Sequence, residues 1–150
     1  MSFQEKNITV SLISFTLILG FYSLRLWHIV RNGFEAGSVF RLWGVVIVLA
    51  IVMTIAGTIL AHILSTILEA IRTGEEPTEV EDLEDERDRL IDLRGTKISY
   101  SVSSIGVFLA MLSFVLGKSP LVMFALLIFA GLAAQIVGDI FRLVLYRRGF

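Results

Sequence analysis

The 150-residue sequence has no cysteine, only two prolines and little charge. Without cysteine there are no disulfides and no thiol chemistry. Of the two prolines, Pro77 falls between apolar runs and Pro120 at the very start of one. Charged residues make up 18% of the chain, where a soluble domain carries about 25%. Hydrophobic residues make up 55%, and the mean hydropathy is +0.80. This composition excludes a disordered chain and a basic nucleic-acid binder, and the net charge of −1 points to no nucleic acid as partner.

Four stretches lack Asp, Glu, Lys and Arg altogether: Asn7 to Leu24, Leu42 to Leu68, Ile98 to Gly117 and Ser119 to Gly138. At about 1.5 Å of rise per residue, each is long enough, or nearly so, to cross a hydrocarbon layer of roughly 30 Å. The expected fold is therefore an all-α integral membrane protein of four transmembrane helices, forming one domain, with spans at about 8–30, 40–71, 98–117 and 120–146. Punctuation agrees. Gly33, Gly74 and Gly117 follow the first three runs, where a left-handed residue can end a helix. Ser119-Pro120 offers an N-cap and a first helical proline.

Lysine and arginine set the orientation. The side shared by the N-terminus, the long connection and the C-terminus carries nine of them; the other side carries Arg25, Arg31, Arg41 and Lys118. Both termini are expected in the cytosol, the lipid partner being the cytoplasmic (inner) membrane. Trp27, Trp43 and Tyr146 stand near span ends, as an aromatic belt requires.

Ile8 to Ser14 aligns with Ile98 to Ser104, and Ala61 to Leu68 with Ala134 to Phe141. This suggests two tandem hairpins related by a pseudo-two-fold axis along the membrane normal. Small residues recur every four positions at Gly57, Ala61 and Ser65, at Gly106 and Ala110, and at Ala130, Ala134 and Gly138, a spacing that lets helix backbones approach closely.

Ten of the fourteen acidic residues lie between Glu75 and Asp92. Thr78 and Glu81 have capping-box spacing. A short cytosolic amphipathic helix is expected here, within the loop at 73–97, ending in a break at Arg94-Gly95-Thr96. Glu81, Glu84, Asp85, Arg87, Arg89 and Arg94 are the candidates for docking a protein partner. No calcium-loop pattern accompanies the acids, so no metal site is expected.

Asp85-Glu86-Arg87-Asp88-Arg89-Leu90-Ile91, followed by Arg94 and then Lys97-Ile98-Ser99-Tyr100, resembles a family of small, uncharacterised, multi-span prokaryotic membrane proteins. Their shared mark is a D-E-R-D-x-L-I segment and a basic residue just before a span. The resemblance implies a membrane protein without an assigned activity. Related small membrane families often act beside a helix-turn-helix regulator, which points towards signalling.

Charged groups within a span are costly and mark function by default. Asp139 lies eight residues before Arg147, with Arg142 one turn away. His62 lies at a similar depth on the second span, and the repeat alignment makes Gln135 its counterpart. A His62–Asp139 contact would make a proton-linked pair; the plainer reading of these polar residues is interhelical hydrogen bonding. No H-E-x-x-H, G-x-S-x-G or Walker A pattern occurs, and no cofactor is indicated. The expected function is non-enzymatic: a regulatory or accessory membrane subunit offering its acidic helix to a protein partner or a second copy. The alternative is a small proton-linked transporter or channel-like oligomer using Asp139 and His62.

Overall fold

The computed structural model describes residues 3–73 and 86–148, without the side chains at 3, 61, 62, 64, 65 and 68–73. Four helices make up these residues: α1 (Phe3–Asn32), α2 (Ala36–Thr73), α3 (Glu86–Val115) and α4 (Pro120–Arg147). All four are long and apolar enough to cross a membrane. Gly74, the Thr78–Glu81 capping box, Glu81, Glu84 and Asp85 lie outside the described residues.

The helix ends follow from local chemistry. Gly33, with φ at 125°, turns the chain between α1 and α2 in three residues. Gly117, with φ at 83°, ends α3 in a Schellman arrangement. The Lys118 N–H reaches the Ser113 carbonyl at 3.1 Å, and the Gly117 N–H reaches Phe114 at 2.9 Å. Pro120 opens α4 where its missing N–H costs nothing. Ser119 holds the cap position, but its hydroxyl makes no capping bond.

The expected break before the third span does not occur. Arg94, Gly95 and Thr96 lie inside α3, which runs unbroken from Glu86. Gly95 is buried and helical because the Arg142 side chain crosses α3 at that point; a Cβ on Gly95 would overlap the Arg142 stem. Its glycine serves close packing, not a turn.

α4 lies between α1 and α3, and α1 lies between α2 and α4, with a small additional contact between α2 and α4. The most extensive interface joins α3 to α4. It is antiparallel, with Asp88 beside Tyr146, Gly95 beside Arg142, Gly138 beside Ser99 and Gly106 beside Ala130. Glycine at three of these four steps lets the two backbones come together. Gly57 plays the same part for α1, where an added Cβ would stand 2.6 Å from Val10. The two hairpins, α1–α2 and α3–α4, are present. Their two-fold relation is not: α1 packs on α4, while no comparable α2–α3 interface forms among the described residues.

The apolar core joins α1, α2 and α4 through Ile18, Tyr22, Leu42, Val46 and Leu132. Buried Tyr22 donates to the Ala125 carbonyl at 2.8 Å, using that oxygen's second lone pair. Near the far end, Phe124 meets Phe40 and Trp43 edge to face, and Arg31 lies 4.8 Å from the Trp27 ring centre. The outward faces are apolar. Val48, Ile51, Val52 and Ile55 on α2 and Ile105, Phe108, Leu109 and Val115 on α3 are exposed, while Ser14 and Asp139 are buried. A water-soluble domain of this size would reverse that arrangement; it is compatible with a multi-pass membrane protein.

The same substitution at two glycines tests the α3–α4 contact. Gly106→Ala, which drives a methyl into Ala130, should cost about 1–3 kcal/mol, as overpacking does. Gly131→Ala, with open space around it, should stay within about 0.5 kcal/mol. Thermal unfolding in mild detergent reads both; equal losses would contradict the close approach.

Candidate functional site

One face of α4 carries Gln135, Asp139, Arg142 and Tyr146, spaced four, three and four residues apart, which aligns them along a helix. The first turns of α3 carry Asp88, Asp92 and Thr96 at intervals of four, and the start of α1 carries Asn7 and Ser11. The antiparallel packing brings these three stripes to one end of the molecule.

Asp139 is 2% exposed. Its carboxylate accepts a 2.6 Å hydrogen bond from Ser11 Oγ, bonds of 3.1 and 3.3 Å from Gln135 Nε2, and a 3.0 Å charged bond from Arg142 Nη1. Arg142 is a three-way fork. Its Nε donates to Asp92 Oδ1 at 2.9 Å, its Nη2 to Thr96 Oγ1 at 2.8 Å, and its Nη1 to Asp139. One guanidinium thus ties two helices and two carboxylates together, which its planar geometry allows and a lysine could not reproduce. The pair ranges from buried to wet: the Asp139 side chain is 3% exposed and the Asp92 side chain 67%. Outside it, Tyr146 Oη donates to Asp88 Oδ1 at 2.8 Å, and Arg87 Nη2 reaches the Tyr146 carbonyl at 3.4 Å.

A cleft of about 390 Å³ opens beside this network, bordered by residues of all four helices. Asn7, Ser11, Thr58, Asp88, Asp139 and Tyr146 are among its walls. A second cavity of about 30 Å³, the size of one water, lies between α1 and α2 against Asn7, Ser11, Ser14 and Thr58.

Of the residues singled out in the sequence, Gln135, Asp139 and Arg142 come together as one cluster. Thr58 of α2 borders the cleft one turn before His62, whose side chain lies outside the described residues, as does the expected His62–Asp139 contact. Arg87 and Arg89 are exposed on the first turn of α3, and Arg94 follows on the same helix. His28 is exposed, with the Asn32 amide 2.9 Å from its Nδ1. The sequence reading missed Ser11, Asp92, Thr96 and Tyr146. The signal lies in the i, i+4 polar stripes of α3 and α4, the first of which a break at Gly95 would interrupt. Among the described residues, no three His, Asp or Glu side chains converge as a metal site requires.

Comparison with known proteins returns no match for this chain among protein-family models, curated proteins or solved structures.

Arg142→Lys should cost about 1.5–3 kcal/mol, the worth of a charged hydrogen bond, because an ammonium cannot reach Asp92, Thr96 and Asp139 at once. The exposed Arg89→Lys should change stability by less than about 0.5 kcal/mol. Chemical denaturation in detergent compares them, and equal stabilities would contradict the three-way role.

Proposed function

We propose that the chain is a multi-pass protein of the cytoplasmic membrane, with its termini and the 73–97 connection in the cytosol. It acts without enzymatic chemistry, as a regulatory or accessory subunit that docks a protein partner on the Glu75–Arg94 segment. The prokaryotic family resembled by its Asp85–Ile91 segment is consistent with such a role.

The observation that carries this reading is the continuity of α3. Its first turns are an unbroken extension of an apolar helix, and Asp88 and Asp92 fasten that extension to α4. Glu86, Arg87, Arg89, Leu90 and Leu93 are left exposed on the anchored helix. A rigid helix bearing both charge and leucine is pre-organised for docking, because little freedom remains to be lost on binding. The alternative of proton-linked transport has weaker support. Ser11, Gln135 and Arg142 already occupy the Asp139 oxygens, so the carboxylate is built in as a structural tie.

Isolation in mild detergent from native cells tests the proposal. The intact chain should retain a partner polypeptide, or a second copy, in stoichiometric amount. Scrambling residues 79–92, or the charge reversal Arg87→Glu with Arg89→Glu, should reduce retention at least tenfold. An intact chain that elutes alone, or retention indifferent to both changes, would overturn it.

A further inference from the structure

The two ends of the bundle treat their cations differently. At the end that holds Asp139, Arg142 lies between two carboxylates. At the opposite end stand Arg25, Arg31, Arg41 and Lys118, and Glu35 is the one acid in the stretches around them. All four cations are exposed, and among the described residues none of them forms an ion pair.

Arg31 is the best prepared of the four. Its guanidinium carbon lies 4.8 Å from the centre of the Trp27 ring, one turn back along α1. The indole steadies the planar group by cation–aromatic attraction. Among the described residues no protein oxygen accepts its N–H groups. A guanidinium in that state presents a fixed fork of donors, the geometry that suits phosphate oxygens.

The surface leading to Arg31 is apolar. Ile13, Leu17, Leu24, Trp27 and Arg31 share one face of α1, and the first four are each more than half exposed. From Ile13 to Leu24 the helix rises about 16 Å, roughly the depth of one leaflet. The face therefore runs from nonpolar side chains to an indole at belt position and then to a cation. That is the order of acyl chain, interface and headgroup in a phospholipid.

We propose that this face of α1 binds an anionic phospholipid, with the phosphate on Arg31 and an acyl chain along Trp27, Leu24 and Leu17. Arg25, Arg41 and Lys118 add positive potential at the same end. The site rests on the membrane reading given above and is independent of partner docking.

Trp27 reports on the site directly. Trp43 is the other tryptophan, so Trp43→Phe leaves Trp27 as the sole indole emitter. The test reconstitutes this full-length chain in vesicles of phosphatidylcholine and phosphatidylglycerol at equal mole fraction, with bromine on the acyl chains of one lipid or of the other. Brominated phosphatidylglycerol should quench Trp27 as though enriched about fivefold beside it, the worth of one arginine at headgroup level. Arg31→Gln should remove most of that preference. Arg147→Gln, an exposed arginine at the opposite end, should leave it intact. Both are exposed positions, where substitution leaves the fold standing. Equal quenching by the two lipids, or a preference undiminished in Arg31→Gln, would overturn the site and leave the membrane reading in place. Quenching by neither lipid would overturn both.

Discussion

The three-way fork of Arg142 is the constraint on which the polar end of this molecule depends. Asp139 sits almost fully enclosed, and an isolated carboxylate there would be very costly. It is tolerable because Arg142 neutralises it one turn away while Ser11 and Gln135 complete its hydrogen bonding. The same guanidinium leaves α4 to grip Asp92 and Thr96 on α3. For its side chain to cross α3 at all, residue 95 must lack a Cβ. A charge on α4, a glycine on α3 and a serine on α1 are therefore parts of one solution.

The rest of the architecture follows from an exterior as apolar as the interior. Where the surroundings are lipid-like, burying another leucine gains little, and helices are held by close backbone packing and interhelical hydrogen bonds. The α3–α4 interface uses both, with Gly95, Gly106 and Gly138 for approach and the Arg142 and Tyr146 bonds for registry. The α1–α2–α4 junction is more conventional, built from Ile18, Tyr22, Leu42, Val46 and Leu132.

The number and order of the long apolar helices were legible in the sequence, because charge-free runs of span length have few other readings, but α3 begins at Glu86, well before its expected start at 98. So were the stops at Gly33 and Gly117 and the pairing of Asp139 with Arg142. What the sequence concealed was partnership. Gly95 reads equally as a helix stop or as a space for a neighbouring side chain, and only the arrival of Arg142 decides between them. With a break at Gly95, Asp92 and Thr96 read as parts of a solvated acidic loop. Ser11 is separated from Asp139 by 128 positions, and no local spacing connects them.

The account rests on Arg142 neutralising the enclosed Asp139 carboxylate while the same guanidinium grips α3. A double-mutant cycle on Arg142 and Asp139 in detergent tests it most directly. Arg142→Met alone strands the buried carboxylate and should cost about 3–5 kcal/mol, whereas adding Asp139→Leu removes the stranded charge and should restore much of the loss. Additive losses from the two substitutions would contradict the account, because they would mean that the two groups act independently.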